Sequence, residues 1–271
     1  MEGKLSKAII AIPTLGRIGN QVTLNQLPES WKERTFLICP PEEHGKHGHQ
    51  TISCPLNGIH KVRQWIMHNI EAKAIIQLDD DMKFRVRRGK SLVRAETADV
   101  GEAMDWLVEA VSWRGFVQAG IGDHYMSNQQ PAEKMCTTVI AAHCYNVKRY
   151  RGMGLRFDRI AYHEDVDVSL QVLRSGVPNI VTHQWVRVQP DQQGEGGCSV
   201  YRDVAHWNQV THQLKALHPE YVRHRWREIG GQEAERWGGT VKGSPMIMAK
   251  KAYKDGCEKA GVEPITEFSN G

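Results

Sequence analysis

Three consecutive aspartates, Asp79, Asp80 and Asp81, directly follow the short apolar run from Ala74 to Leu78. An apolar run of this length is typical of a strand buried in a parallel sheet. In open α/β sheets, ligands bind where such strands end. Adjacent carboxylates repel one another unless a counter-ion lies beside them, and their oxygens are the ligands that Mg²⁺ and Mn²⁺ prefer. The motif therefore predicts a metal site at a sheet edge, with an ordinary acidic turn as the alternative.

Strand-like and helix-like segments alternate on both sides of this motif, which is typical of an α/β fold. The predicted strands are Ala8–Ile12, Thr35–Cys39, Ala74–Leu78, Phe116–Ile121, Thr137–Tyr145 and Asn179–Val188. Of these, Thr137–Tyr145 also fits a core helix. The predicted helices are Ile59–Ile70, Val100–Trp113 and Asp165–Arg174, the second of them opened by a capping box of Asp99 and Glu102. We therefore predict a Rossmann-type, mostly parallel sheet flanked by helices.

After about Tyr201 the sequence becomes rich in helix formers, histidine and tryptophan. We interpret the glycine-containing stretch before it as a loop and not as a linker between domains. We therefore expect a main α/β domain over residues 1–200 and a helical C-terminal extension over residues 201–271 that packs on the same domain.

The composition argues against several classes of protein. The six cysteines lack CxxC spacing, which predicts free thiols in a reducing cytoplasm, that of a host cell if the protein is viral. No apolar run approaches the roughly 20 residues of a membrane helix, and Pro13 and Gly16 end the short N-terminal run, so we expect neither a membrane span nor a secretory signal. The sequence lacks the motifs of dinucleotide dehydrogenases, P-loop NTPases, zincins and α/β-hydrolases.

A second acidic motif, His163-Glu164-Asp165-Val166-Asp167, lies where a predicted helix begins. These carboxylates either cap the helix and complement its dipole, or one of them acts as a general base. A separate cluster contains His44, His47 and His49. For that cluster a solvated, glycine-rich loop is a better interpretation than a metal site.

Three segments together resemble one family. IAIPTLGR at the start, QLDDDM after the third strand and GMGLRFDRIAYHEDVDVSLQVLRSG downstream are similar to the nucleotide-sugar glycosyltransferases of the GT-A fold, in which a DxD motif follows a strand. The resemblance spans Ile9 to Gly176. The segment GIHKVRQWIMHNIEAKAIIQLDDDM, with Gly58, Arg63 and Trp65, resembles a narrower group. These are the glycosyltransferases encoded beside TET-type dioxygenases in bacteriophages, proposed to add sugars to hydroxymethylated pyrimidines in DNA.

The resemblance implies a role for each motif. Residues that bind the donor, expected to be a UDP-sugar, would be Pro13, Thr14, Arg17, Arg63, Asp79 and Asp80. Mn²⁺ or Mg²⁺ would be held by Asp81, Asp79 and His183. Asp165, or in its place Glu164, would take the proton from the acceptor hydroxyl, which implies inversion at the anomeric carbon.

Simpler interpretations remain open for some of these residues. Arg63 would be a surface salt bridge and His183 a core histidine. The stretch from Gly194 to Cys198 is either a loop that closes over the site or a plain surface loop.

A basic segment, Lys83 to Arg94, follows the aspartates and contains six cationic and no acidic residues. Such a strip predicts contact with a nucleic-acid backbone. The predicted acceptor-binding residues are Lys83, Arg85, Arg87, Arg88 and Trp185, with Trp185 or Tyr201 stacking on a flipped base. The alternative is a solvated basic face, or arginines that neutralise the aspartates. Two other functions also stay open: transfer to a saccharide, protein or small molecule, and a non-catalytic nucleic-acid-binding module.

Overall fold

A computed structural model describes residues 8–125, 127–189 and 203–265 of the chain. Its centre is a ten-stranded sheet in the order β3-β2-β1-β4-β9-β7-β10-β5-β6, with β8 paired to β10. The strands are β1 (Ile9–Pro13), β2 (Thr35–Cys39), β3 (Thr51–Ser53), β4 (Ala74–Gln77), β5 (Lys83–Arg88), β6 (Ser91–Arg94), β7 (Gln118–Asp123), β8 (Glu133–Met135), β9 (His143–Asn146) and β10 (Ile180–Val188).

Strand direction divides the sheet. The neighbours β3, β2, β1 and β4 are all parallel, and β10 is parallel to β7. The pairings of β4 with β9, β9 with β7, and β10 with β5 and β8 are antiparallel. Only β5, β8 and β9, among the strands described, oppose the common direction. The predicted α/β fold with a mostly parallel sheet is therefore confirmed.

Helices cover both faces of this sheet. Among the described residues before residue 190 they are α1 (Glu29–Lys32), α2 (Ile59–Asn69), α3 (Thr97–Ser112), α4 (Val147–Gly152) and α5 (Glu164–Arg174). Alternate residues of each strand point to opposite faces. In β1, Ile10 and Ile12 accordingly pack with α3, whereas Ile9 and Ala11 pack with α2, α4 and α5.

Two predicted segments differ from the structure. The helix α3 begins at Thr97, and its capping box consists of Glu96 and Asp99, because the Asp99 carboxylate accepts a hydrogen bond from the Glu96 amide at 2.9 Å. The strand predicted over Thr137–Tyr145 is shorter. It begins only at His143, because Ala141 has a positive φ of 61°, which a regular strand does not allow.

Residues 203–265 contain the helices α6 (Val204–Leu217), α7 (Gly231–Trp237) and α8 (Ala249–Ala260). They also contain an antiparallel pair that sequence reasoning missed, β11 (Val222–Glu228) and β12 (Val241–Ile247). The helical extension thus has a sheet of its own. The predicted domain boundary at residue 200 lies outside the described residues.

The C-terminal region packs directly on α5. A Cβ atom on Gly256 of α8 would lie 2.4 Å from the Leu173 carbonyl oxygen, so only glycine allows this approach. The imidazole Nε2 of His218, which follows α6, lies 2.6 Å from Oδ1 of Asp167 in α5, and both side chains are fully buried. The extension therefore holds the helix that carries the second acidic motif.

The five cysteines in the described ranges are buried and free, as predicted. In the same ranges, no helix has the length and apolar character needed to cross a membrane.

Candidate active site

The turn after β1 and the three aspartates after β4 meet at the carboxyl ends of these strands, because β1 and β4 are parallel neighbours that end side by side. The Thr14 hydroxyl, just past β1, donates to Oδ2 of Asp80 at 2.8 Å. The Arg17 guanidinium reaches Asp80 at 3.4 Å and Asp81 at 3.0 Å. Burial raises the pKa of Asp80 to about 6, although Arg17 and Thr14 lower it. Arg17 is therefore the counter-ion of Asp80 and Asp81.

Thr23 shapes the acidic loop, and sequence reasoning did not single it out. Its hydroxyl donates to the Asp79 carbonyl at 2.6 Å and accepts from the Met82 amide at 2.9 Å. Its own amide donates to the Asp80 carbonyl at 3.1 Å. These bonds fix the loop backbone, so that the three carboxylates point in set directions.

The predicted solvated histidine loop is wrong for His47, which is buried. Its Nε2 lies 3.0 Å from Glu43, and Glu43 accepts the Gly16 amide at 2.8 Å. The loop therefore supports the turn after β1. His44 is exposed and lies 2.9 Å from the Thr51 hydroxyl, and His49 lies 2.9 Å from the Thr35 carbonyl.

Arg63 of α2 joins the two acidic motifs. Its guanidinium contacts Asp79 at 2.5 Å, Glu164 at 2.8 Å and Asp165 at 3.8 Å. Because Arg63 is only 2% exposed, these ion pairs are buried and the alternative of a surface salt bridge does not apply. Its guanidinium already contacts three carboxylates, whereas an arginine that binds the donor diphosphate would direct its N–H groups toward the phosphate oxygens.

Glu164 and Asp165 form the first turn of α5, which follows His163 in the left-handed conformation. Burial raises the pKa of Glu164 to about 7, with Asp165 adding to the rise and Arg63 opposing it. Burial likewise raises the pKa of Asp165. The Asp165 carboxylate accepts the amides of Val166 at 2.8 Å and Ala141 at 3.2 Å. Two carboxyl groups with raised pKa values beside one arginine have the character of an acid–base site.

The end of β10 also reaches this cluster. The Gln189 amide donates to Oδ2 of Asp79 at 2.6 Å. Sequence reasoning did not single out Gln189, and the only indication in the sequence is that this residue directly follows a predicted strand. Asp79 is thus held from two sides, by Arg63 and by Gln189.

Within the described residues His183 makes no hydrogen bond or ion pair with the three aspartates. It lies in β10 five residues before Val188, which pairs with Lys83 next to the acidic loop. The His183 Nδ1 lies 2.9 Å from the Ser127 hydroxyl. Burial, with Lys134 and Arg87 nearby, lowers its pKa to about 4. The interpretation as a core histidine therefore fits, and within the described residues no group of three His, Cys, Asp or Glu side chains is arranged to hold a metal ion.

The basic segment forms the β5–β6 hairpin, and its arginines divide into two groups. Arg87 donates to the carbonyls of Ser127 and Gln130, and Arg88 pairs with Asp99. These two side chains therefore stabilise the fold and do not neutralise the three aspartates. Lys83 and Arg85 are exposed, and Trp185 is half-buried against the core. Gly194–Cys198 and Tyr201 lie outside the described residues.

The sequence profile of the TET-associated glycosyltransferases matches residues 8–197, most of the chain. The chain belongs to this family. This TET-associated glycosyltransferase is therefore an enzyme of the class that the resemblance implied, and its matched region contains all the site residues described above. No curated protein matches its sequence.

Solved structures share the fold at low sequence identity. Glucosyl-3-phosphoglycerate synthase from Mycobacterium tuberculosis, in complex with Mn²⁺, UDP-glucose and phosphoglyceric acid, gives a TM-score of 0.52 at 9% identity over 78% of this chain and 79% of that one. Its complex with Mg²⁺ and UDP gives 0.52 at 9% identity over 90% and 88%. TarS from Staphylococcus aureus, with UDP-GlcNAc, gives 0.51 at 12% identity over 85% and 69%. The fold is therefore that of GT-A glycosyltransferases, as predicted.

Proposed function

We propose that this glycosyltransferase transfers a sugar from a UDP-sugar to the hydroxyl of a hydroxymethylated pyrimidine in DNA, with help from a divalent cation. One observation carries the proposal: Arg17 after β1, Asp79 to Asp81 after β4, and Glu164 with Asp165 on α5 converge in a single cluster. The family, and the nucleotide sugars bound by structures of the same fold, support the donor. The family resemblance supports the acceptor, and the buried free thiols fit a reducing cytoplasm.

The residues present fit a hard divalent cation. Asp79 and Asp81 offer carboxylate oxygens, and their side chains are 27% and 22% exposed. Burial and the neighbouring Asp79 raise the pKa of Asp81, so a cation there would relieve unfavourable charge. Within the described residues no third His, Cys, Asp or Glu completes a metal cluster. Two carboxylates plus substrate phosphates match the way in which Mg²⁺ is usually bound. Such a cation, when bound, stabilises charge on the departing diphosphate.

The chain's own groups account for the remaining steps. The acceptor hydroxyl gives its proton to the Asp165 carboxylate as its oxygen bonds to the anomeric carbon. The bond from that carbon to the diphosphate oxygen breaks, and the electron pair leaves with the diphosphate. A base on the face opposite the leaving group implies inversion. Arg63 and the amides of Val166 and Ala141 hold Asp165 in place.

The test of the function is a transfer assay in which UDP-sugars, the cation and the acceptor are varied separately. We expect transfer to a hydroxymethylated oligonucleotide in the presence of Mn²⁺ or Mg²⁺, and none with EDTA or with the same oligonucleotide lacking hydroxymethyl groups. Mass spectrometry of the oligonucleotide measures the product. Transfer only to a saccharide or protein would contradict the DNA acceptor. DNA binding without turnover of any nucleotide sugar would indicate a binding module.

The cation site makes a second prediction. UDP with Mn²⁺ should raise the melting temperature more than either alone, since the cation would bridge carboxylate and phosphate. At about 100 times Kd the gain is about 2.7 kcal/mol, or roughly 5–10 °C. Asp81→Asn should remove this synergy, whereas Asp255→Asn, on the distant α8, should keep it. If Asp81→Asn responds like the wild type, the cation binds elsewhere.

A further inference from the structure

We infer that β11 is a nucleic-acid-binding edge that holds the acceptor strand beside the active site. This inference rests on the proposed DNA acceptor and assigns its binding surface. The surface, called here the β11 edge, consists of Arg223, Arg225, Arg227 and Trp226.

The charge of the β11 edge suits a phosphate backbone. Successive side chains of a strand point to opposite faces, so the three arginines lie on one face of β11. All are exposed. Arg227 pairs with Glu233, whereas Arg223 and Arg225 make no ion pair or hydrogen bond with the described part of the chain. Two unpaired guanidinium groups, two residues apart, are free to contact successive phosphates.

An aromatic surface lies on the other face of the same strand. Trp226 is 42% exposed, and its ring centroid lies 5.1 Å from that of His212. His224 lies 4.7 Å from His212. Trp226 rests on Gly243, where a Cβ atom would meet the ring at 2.6 Å. Charges alone would serve to protect an edge strand from pairing, but they do not account for an exposed indole, on which a base can stack.

Three contacts connect the β11 edge to the residue that precedes helix α5. Trp226 covers Gly243, whose carbonyl accepts the indole N–H of Trp207 at 2.7 Å. The Trp207 ring lies 4.4 Å from that of His163, the residue before Glu164. These contacts lead from the Trp226 side of β11 to the residue before Glu164, and they direct a nucleic-acid strand stacked on Trp226 toward the start of α5. An unpaired or flipped base could reach the donor from there.

Fluorescence anisotropy of an unmodified single-stranded oligonucleotide, without donor and over a range of salt concentrations, tests the inference. Arg223→Ala with Arg225→Ala should weaken binding about tenfold near physiological salt and reduce the slope of log K against log salt by about 1.4. Trp226→Ala should weaken binding about tenfold with little change in slope. Arg223→Lys with Arg225→Lys should keep most of the slope, which guards against a folding defect.

A matched control removes two other charges. Lys73 and Lys148 are exposed and make no ion pair in the described part of the chain. They lie in the ten-stranded sheet region, next to the start of β4 and the end of β9, at the strand ends opposite to the three aspartates. Lys73→Ala with Lys148→Ala should leave DNA affinity unchanged.

The outcomes separate this inference from the proposed function. One outcome is that the arginine and tryptophan variants bind DNA like the wild type, while the wild type glycosylates hydroxymethylated DNA. The inferred role of the β11 edge is then wrong, and the proposed function is supported. If the wild type neither binds nor glycosylates DNA, both the acceptor and the β11 edge are wrong. Loss of binding to anionic phospholipid vesicles, with DNA affinity unchanged, would reassign the edge to a membrane surface.

Discussion

Asp165→Asn is expected to lower the turnover number for sugar transfer by roughly 10²–10⁴-fold, because a general base acts in the transition state. The dissociation constant for UDP should change little, since binding of the nucleotide involves no proton transfer to Asp165. The Val166 amide donates to Oδ1 of Asp165 and the Ala141 amide donates to Oδ2. Asparagine keeps one of these two oxygens, so it should preserve one of the two hydrogen bonds at the start of α5. Single-turnover kinetics and calorimetric binding of UDP measure the two effects.

The pH profile adds a second readout. Burial raises the pKa of Asp165, so its basic form is lost at a higher pH than that of an ordinary aspartate. Turnover should therefore fall as the pH drops toward this raised value, and Asp165→Asn should abolish that limb. Glu164→Gln is the matched control. If Glu164→Gln loses the limb and Asp165→Asn keeps it, Glu164 is the base. A large loss of UDP affinity in Asp165→Asn with normal turnover would instead assign Asp165 to binding or capping.

The elements of the site could be predicted because each depends on local sequence. The apolar run before Asp79 fixes a buried strand, and the acidic turn of α5 fixes a helix start. Parallel neighbours then bring the ends of β1 and β4 together. The likeness of three spaced segments to one family identified the chemistry, and the family profile over residues 8–197 agrees with it.

The partners within the site could not be predicted in the same way. Arg63 and Glu164 are separated by 101 residues, and Gln189 and Asp79 by 110. Such choices depend on how helices seat on the sheet, which no local pattern encodes. The surroundings of His183 could not be predicted for a related reason. An irregularity between Thr182 and Val186 shifts the register of β10 against β7, and no local pattern in the sequence indicates it.

The C-terminal strands were missed for a different reason. Val222, His224 and Trp226 alternate with arginines, a period of two that indicates a strand. The surrounding helix-forming composition concealed this short pattern.

Arg63→Met is expected to lower the free energy of unfolding by about 3–5 kcal/mol near pH 8, because it leaves Asp79, Glu164 and Asp165 without their buried counter-ion. Methionine approximates the arginine stem, so most of the loss reflects charge. Sugar transfer should also be lost, since the carboxylates would no longer be held apart. Urea unfolding at pH 5 and pH 8 measures the change in stability.

The sign of the pH dependence distinguishes charge from packing. The pKa of Glu164 is raised from 4.5 to about 7 on folding. Its contribution to stability is therefore fully present below about pH 4.5 and is lost as the pH rises through about 7. Without Arg63 the folded pKa rises further, so protonation rescues Arg63→Met at pH 5 and the deficit grows toward pH 8. Adding Glu164→Gln to Arg63→Met should recover part of the stability at pH 8, because it removes one unpaired charge. An equal deficit at both pH values, unchanged in the double variant, would show that Arg63 stabilises the fold by packing and not as the shared counter-ion of the two acidic motifs.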